Sequence, residues 1–332
     1  MSRTTRPATL AVVLAFAVVA LQALLVPLFA GPAAHLAPRD LPLAVAGPQP
    51  AADQFAARLT ASRPGAFDVR VVSNADAAIR NREVYGAVVI GAGGASLHVA
   101  SAASPTVATL LTQATAELGQ GAPVPVVDVV PTDAGDPRGA GLGAAFLPMA
   151  MTALLAGILT FLLIKRRSAR VLALTTFAVA AGLAGAAVQQ YWLDVVPGDY
   201  WAVAGVLALF SLAVSAAVAG LGALFDRAGI ALGAATIFLV GNALSAVSAA
   251  PQLLPQPWGA VGQCLPIGAG ATLLRSVAYF GGNGGGVAVM VLGAYAIGGL
   301  ILVVAGRRGT VRAMAQAAAA GEETRREPAL AS

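Results

Sequence analysis

Six long apolar stretches dominate the sequence and limit the folds open to it. Each has about the 20 consecutive apolar residues that a helix needs to cross the hydrocarbon core of a bilayer. None carries Asp, Glu, Lys, Arg or His in its interior. The sequence therefore predicts an α-helical polytopic membrane protein with six transmembrane helices. The stretches are Ala8–Ala30, Leu142–Ile164, Val171–Val188, Trp201–Phe225, Ala228–Ala250 and Val287–Ala305.

The charge content excludes several classes of protein. Only 11% of the 332 residues are charged and 58% are hydrophobic, whereas about 25% of the residues of a soluble domain are charged. A soluble enzyme, a disordered chain and an ordinary nucleic-acid-binding protein are excluded on this ground.

The first stretch has two interpretations. Arg3 and Arg6 precede it and Phe29-Ala30-Gly31 ends it, as in a secretory signal peptide with a small-residue cleavage site. Its apolar run is longer than the apolar region of a signal peptide, which has about 7–15 residues. This length favours an uncleaved N-terminal transmembrane helix over residues 1–31. Both interpretations place the following segment outside the cell.

The basic residues predict the orientation, because cytoplasmic loops of membrane proteins are enriched in Lys and Arg. When the six spans alternate in direction across the membrane, all the basic clusters that flank them fall on one side. The loop Tyr191–Tyr200 falls on the opposite side, and its only charged residues are Asp194 and Asp199. Both termini are therefore expected in the cytoplasm, with Trp192, Trp201 and Trp258 near the outer face. The basic clusters are Arg3 and Arg6, Lys165, Arg166, Arg167 and Arg170, Arg227, and Arg307, Arg308 and Arg312.

Residues 32–141 have the composition of a soluble domain, and their pattern alternates strands with helices. We expect a small extracytoplasmic α/β domain inserted between the first and second spans. The predicted strands are Leu41–Ala46, Phe67–Val72, Gly86–Ile90, Ser96–Ala100 and Val124–Val130, and the predicted helices are Ala51–Ala61, Ala75–Asn81 and Pro105–Leu118. A five-span membrane domain over 142–306 and a cytoplasmic tail over 307–332 complete the chain.

The sequence offers no catalytic, cofactor-binding or metal-binding motif. A phosphate-binding P-loop needs a lysine after glycine, and the only lysine, Lys165, follows Ile164. The glycines at 91, 93 and 94 are followed by a predicted strand instead of a helix, so a hairpin explains them better than a nucleotide loop. One cysteine and two histidines are too few for a metal cluster. We expect His98 to be an ordinary strand residue.

The segment 251–286, before the last span, is too proline-rich for a span and too apolar for a loop. Pro255, Pro257 and Pro266 punctuate it, and Arg275 lies within its apolar part. Irregular backbone persists at membrane depth only inside protein or beside a watery cavity. The segment is therefore either a re-entrant helix in the outer leaflet, with Arg275 snorkelling or facing a cavity, or a helix resting on the membrane surface.

Five local sequences and the order of the predicted segments carry a family resemblance. The local sequences are Arg82-Glu83-Val84-Tyr85-Gly86-Ala87, Asp136-Pro137-Arg138-Gly139, Gly241-Asn242-Ala243-Leu244-Ser245, Leu254-Pro255-Gln256-Pro257-Trp258 and Leu265-Pro266. The predicted order is one N-terminal span, a large outer domain and five clustered C-terminal spans. Together they resemble the membrane subunits of ABC-2 type exporters, in particular the bacterial branch of phage-infection-protein-like proteins. The chain departs from many such permeases in the short connection Lys165–Arg170, where they carry a longer cytoplasmic segment.

The resemblance implies a permease of the bacterial cell membrane that exports a hydrophobic or amphiphilic substrate. A separate ATP-binding subunit would drive it, since the chain has no P-loop of its own. The lack of acidic, His or Lys residues within the spans argues against proton or sodium coupling. The alternative is a non-transporting scaffold or envelope-assembly factor that presents the outer domain to a partner. A membrane enzyme is disfavoured, because no convergent set of acids, bases and nucleophiles is present.

The residues that would contact an ATPase lie in two predicted cytoplasmic loops. They are Lys165, Arg166, Arg167 and Arg170 in one and Asp226 and Arg227 in the other. Alternatively, these basic residues only set the topology and contact anionic lipid. The resemblance also implies a homodimer or a heterodimer with a similar chain. The small residues of Gly229-Ile230-Ala231-Leu232-Gly233 allow close helix approach, either between subunits or within one.

Overall fold

The computed structural model of the protein describes residues 7–118 and 124–306. The described chain combines one small mixed sheet with a larger set of helices. Its strands are β1 (Leu41–Ala46), β2 (Phe67–Val71), β3 (Gly86–Gly91), β4 (Gly94–Val99) and β5 (Val126–Asp128). Its helices are α1 (Pro7–Ala34), α2 (Gln49–Ser62), α3 (Ala75–Arg80), α4 (Pro105–Leu118), α5 (Ala140–Leu163), α6 (Arg167–Ala187), α7 (Tyr200–Gly233), α8 (Gly241–Leu244), α9 (Trp258–Gln263), α10 (Pro266–Phe280) and α11 (Gly286–Ala305).

The five strands form one sheet in the order β2-β1-β3-β4-β5. β1 is parallel to β2 and β3, β3 and β4 form an antiparallel hairpin, and β5 is parallel to β4. The hairpin closes where Gly91 pairs with Gly94, as predicted for these glycines. Asn74 caps α3 by accepting a hydrogen bond from the backbone N–H of Ala77 at 3.0 Å. We call residues 41–130 the sheet domain.

Side chains alternate between the two faces along each strand. The sheet carries buried residues on both faces, whereas its edge strand β5 is exposed. Leu43 and Leu97 pack against α4 and Ala250 on one face, whereas Ala44 and Ala87 pack with Ile79 on the other. Each of these two cores also includes a residue from the second half of the chain: Leu253 on the first face and Phe280 on the second. The sheet domain is therefore packed directly onto the segments around α9 and α10.

Five helical segments in the described chain are long and apolar enough to cross a membrane. They are Thr9–Ala34, Ala140–Leu163, Arg167–Trp192, Tyr200–Leu244 and Gly286–Ala305. This agrees with a multi-pass membrane protein. The first of them, in α1, has no buried residue in its most apolar window, so its apolar side chains are left uncovered by the rest of the described chain.

The segment Tyr200–Leu244 turns back on itself at Asp226. The backbone there has φ 55° and ψ −132°, outside the helical region. A Cβ at Gly229 would lie 1.9 Å from the carbonyl oxygen of Leu221, and one at Gly233 would touch Val218. Residues 227–244 therefore run antiparallel to residues 200–225 as the second arm of a helical hairpin. Gly229 and Gly233, which the sequence offered for contact between or within subunits, pack inside this hairpin.

The segment 251–286 is folded into the protein and is not a simple loop. It forms one short 3₁₀ turn at Pro251–Leu253, then α9 and α10. Of the 15 residues of α10, 11 are buried, with α7 and α11 as its main neighbours. A Cβ at Gly270 would lie 2.6 Å from the ring of Phe210 in α7. Other parts of the described chain therefore enclose α10.

Candidate functional site

A set of hydrogen bonds joins the sheet domain, together with Arg39 just before it, to the segment between α8 and α11. The Arg39 guanidinium donates to the carbonyl oxygen of Leu253 at 2.7 Å, and the Thr106 hydroxyl donates to that of Ser248 at 2.9 Å. The Tyr85 hydroxyl donates to the Gln252 side-chain oxygen at 3.0 Å. These contacts link residues far apart in sequence, so they fix the sheet domain on the helices.

A cavity of about 420 Å³ lies at this junction. Its walls come from the loop between α3 and β3, from the segment after α8, and from α9, α10 and the start of α11. Such a volume is typical of a site for a small ligand. Its polar lining includes Arg82, Tyr85, Gln252, Gln263, Thr272 and Arg275.

Arg82 enters the cavity from the sheet domain. Its backbone has φ 58°, an uncommon conformation for a residue with a side chain. Its guanidinium donates to the carbonyl oxygen of Thr272 at 3.0 Å and lies 5.2 Å from the ring centroid of Phe280. Gly284 packs on its side chain, since a Cβ there would lie 3.1 Å from the Arg82 Cβ. The arginine is held from several sides.

Arg275 enters from α10 and is 5% exposed. Its guanidinium donates to the carbonyl oxygen of Val247. Arg275 also lines the cavity. Ion pairs in the described parts of the chain join Arg70 to Asp68 and His98 to Asp76; neither cavity arginine takes part in one.

Burial shifts the protonation equilibria beside the cavity. Removal from water lowers the pKa of Arg82, with a smaller opposing effect from Tyr85. Burial likewise raises the pKa of Tyr85, opposed by the positive charges of Arg82 and Arg275. A guanidinium stays protonated in proteins, and a raised pKa keeps the Tyr85 hydroxyl neutral at pH 7. The cavity therefore presents positive charge.

The residues predicted to meet an ATPase gather at the opposite end of the helices. Gly222, four residues before Asp226, lies against Phe161 at the end of α5. Arg167 donates to the carbonyl oxygen of Gly306 at 2.8 Å, which joins the start of α6 to the end of α11. The exposed members of this set are Lys165, Arg166, Arg167, Asp226 and Arg227.

Arg170 differs from the rest of that set because it is only 3% exposed. Its guanidinium donates to the carbonyl oxygens of Ile164 at 2.7 Å and Phe161 at 3.0 Å, and it lies 5.2 Å from the Phe161 ring centroid. Arg167 and Arg170 also belong to α6, so the connection between α5 and α6 is shorter than the predicted loop Lys165–Arg170. Arg3, Arg6 and the predicted cytoplasmic tail 307–332 lie outside the described residues.

The three predicted prolines have separate positions. Pro266 begins α10 and Pro257 directly precedes α9. Pro255 borders a small groove that also involves Pro27 of α1 and Trp258. None of the three lines the large cavity.

Sequence reasoning singled out Arg275 but gave no role to Arg82 or Tyr85. The two occur in the segment Arg82–Ala87, which carried part of the family resemblance, so a signal was present without an assigned chemistry. His98 pairs with Asp76, with 2.6 Å between Nδ1 and Oδ1, as expected for a satisfied strand residue. Across residues 7–118 and 124–306, no group of three His, Cys, Asp or Glu residues could hold a metal ion.

Comparison of the chain with protein-family models, with curated proteins and with solved structures gives no significant match.

Proposed function

We propose that this chain is the membrane subunit of an ABC-2 type exporter of the bacterial cell membrane, which moves an amphiphilic substrate with a separate ATP-binding subunit. The observation that carries the proposal is the cavity between the sheet domain and the helices. A cavity lined by charged residues beside membrane-length helices is suited to a substrate that leaves or enters the bilayer there.

In this proposal the chain crosses the membrane six times and both termini are cytoplasmic. The hairpin turn at Asp226 supports six crossings, since its second arm, 227–244, would span about 27 Å as a helix. The exposed Trp192, Trp201 and Trp258 would mark the outer interface, where tryptophans concentrate. The buried α10 supports the re-entrant form of the segment 251–286, and the sheet domain would be extracytoplasmic.

An introduced cysteine tests this topology in a Cys264→Ser background. A cysteine at the exposed Arg58 of α2 should react with an impermeant maleimide in intact cells, and a cysteine at the exposed Arg166 should react only after lysis. The reverse pattern would reject the orientation.

The ATPase would contact the end that carries Lys165, Arg166, Arg167 and the Asp226-Arg227 turn. Affinity purification from native membranes in a mild detergent, followed by mass spectrometry, tests this. We expect an ATP-binding protein to accompany the native chain and to be lost from a Lys165→Gln/Arg166→Gln variant of equal abundance. Arg58→Gln, which removes an exposed charge from the sheet domain, is the control. If no ATP-binding protein accompanies the native chain, the exporter proposal fails.

A scaffold or envelope-assembly role is the second candidate, and the short helix connections favour it. Only Ile164–Arg166 separate α5 from α6, and one non-helical residue forms the turn within α7, so the described chain offers little surface for a coupling partner. Recovery of envelope proteins bound to the sheet domain, without an ATPase, would support this role.

We also propose that the chain works as a homodimer or as a heterodimer with a similar chain. The uncovered apolar length of α1 is compatible with such packing, although lipid can cover it equally well. A strictly monomeric mass in both detergent and nanodiscs would reject the homodimer, and purification without a similar chain would reject the heterodimer.

A further inference from the structure

We propose that the cavity between Arg82 and Arg275 is a binding site for a phosphate- or carboxylate-bearing ligand, held by both guanidinium groups. The proposal rests on the geometry of the junction and is independent of export, so it stands or falls separately from the exporter proposal.

Within the described chain, the cavity contains two arginines without a carboxylate partner. Two guanidinium groups from different parts of the chain face one cavity, and neither has a carboxylate partner within the described residues. Burying an unpaired charge is costly, and a second like charge adds to the cost. Glu83 also lines the cavity, but it is exposed and accepts a hydrogen bond from Asn81 at 3.2 Å. An anion between the arginines would remove the imbalance.

The guanidinium groups of Arg82 and Arg275 have more N–H donors than the described residues satisfy. Each guanidinium has five N–H donors, whereas the structure gives one hydrogen bond to Arg82, with Thr272, and one to Arg275, with Val247. Among the sealed side-chain nitrogen and oxygen atoms of the described residues, the one without a partner is Gln189 Oε1. The spare guanidinium nitrogens are therefore not sealed inside protein and reach open space. The planar fork of arginine matches the oxygen atoms of phosphate and carboxylate.

The neutral lining groups add few acceptors for a cation. The side-chain oxygen of Gln252 already accepts from the Tyr85 hydroxyl at 3.0 Å, and that of Gln263 accepts from the Thr272 hydroxyl at 2.6 Å. Hydroxyl groups thus occupy these two amide oxygens, and Gln256 adds a third amide to the lining. The two guanidinium groups supply most of the donors, and this excess of donors favours an anion.

The wall of the cavity beside α11 is apolar. Ala260 of α9 and Val287 and Ala288 of α11 form it, and Val287 is 66% exposed. Since α11 is one of the membrane-length helices, a lipid headgroup could reach the arginines while its acyl chains lie along α11. A free anion could reach the same groups from water.

Thermal unfolding of the full-length protein tests the site with three additions. Nanodiscs of phosphatidylglycerol are compared with nanodiscs of phosphatidylcholine, and inorganic phosphate is added to protein in a non-ionic detergent. The midpoint of thermal unfolding is measured in each condition for the native chain, for Arg82→Gln and for Arg275→Gln. Arg80→Gln, which removes an exposed charge two residues from Arg82, is the control. We expect an anion to raise the midpoint of the native and Arg80→Gln proteins by several degrees.

Titration gives the affinity. The Arg82→Gln and Arg275→Gln variants should bind the effective anion at least about tenfold more weakly, as expected for loss of a charge-assisted hydrogen bond. Arg275 is only 5% exposed, so its loss could prevent folding. If Arg275→Gln does not fold, Arg275→Lys and Arg82→Gln, at a half-buried position, carry the test.

The outcomes are distinct. Arginine-dependent protection by phosphatidylglycerol alone supports the site and identifies a lipid headgroup, whereas arginine-dependent protection by phosphate supports it and identifies a soluble anion. Equal protection by phosphatidylcholine, an unchanged affinity in Arg82→Gln, or no protection by either anion would overturn the proposal.

Discussion

Arg82 of the sheet domain donates a hydrogen bond from its guanidinium to the backbone carbonyl oxygen of Thr272 in α10, over 3.0 Å and across 190 positions of sequence. This contact places a charge from the sheet domain beside the buried helix that carries Arg275. The position of Arg82 depends on its own unusual backbone and on Gly284, which leaves room for its side chain.

Gly284→Ala should therefore disturb the junction. The residue has φ 72°, and an added Cβ would lie 3.1 Å from the Arg82 Cβ, so we expect a loss of about 1–2 kcal/mol in stability. Thermal unfolding in detergent measures it. Gly293→Ala in α11 has no neighbour within 4 Å and should leave the midpoint nearly unchanged; equal losses in both variants would contradict the prediction.

Asp136 should stabilise the start of α5. Its carboxylate, 6% exposed, accepts hydrogen bonds from the backbone N–H groups of Ala140 at 2.9 Å and Leu142 at 3.0 Å. Negative charge there also favours the helix dipole. Asp136→Ala should lose about 1–3 kcal/mol, and Asp136→Asn, which keeps one acceptor, should lose less. Thermal unfolding measures both, with the exposed Asp53→Ala as the control. An Asn variant as unstable as the Ala variant would argue against this role.

Arg170 should act in folding and not in docking. Its guanidinium donates to two carbonyl groups at the end of α5, the region where a helix leaves its last carbonyls without intrahelical partners. Arg170→Gln should reduce stability by about 2–3 kcal/mol and lower the amount of inserted protein on a quantitative blot of membranes. Arg166→Gln, at an exposed position, should leave that amount unchanged. Normal abundance of Arg170→Gln with loss of an ATPase partner would return Arg170 to the docking surface.

Asp226 should be needed for function but not for insertion. We expect Asp226→Arg to impair export or any linked phenotype at normal abundance, because it reverses a charge at the exposed turn. Asp226→Gly removes the carboxylate but keeps the turn. Glycine adopts φ 55° without the ~1–3 kcal/mol that such a backbone costs other residues. A loss of function in both variants identifies the carboxylate. Full function in Asp226→Arg would reject docking at the turn and favour the scaffold.

Much of the secondary structure follows from local pattern. Leu41–Ala46 has the predicted bounds, and the hairpin closes at the predicted glycines, because apolar alternation and turn residues act over a few positions. The connection between α5 and α6 was predicted too long. Arg167 and Arg170 belong to α6, but only their contacts in the folded chain distinguish them from arginines of a loop. Asp226 was expected between two helices, and there the backbone does leave the helical region.

The candidate site could be predicted only in part. Arg275 is conspicuous in the sequence because a charge within an apolar segment is costly and calls for a partner or a cavity. Arg82 carries no such signal, since it is one of many charged residues in a stretch of soluble composition. Local rules give no reason to place these two residues together.

The sequence by itself determined that the chain has membrane-length apolar helices and a small α/β domain, because length, hydropathy and side-chain alternation are properties of consecutive residues. Only the tertiary structure decided that α10 is buried, that Gly229 and Gly233 close a hairpin within the chain, and that Arg82 and Arg275 share a cavity. These features depend on which surfaces meet, and that is fixed by packing and by the hydrogen-bonding needs of buried polar groups across the whole fold.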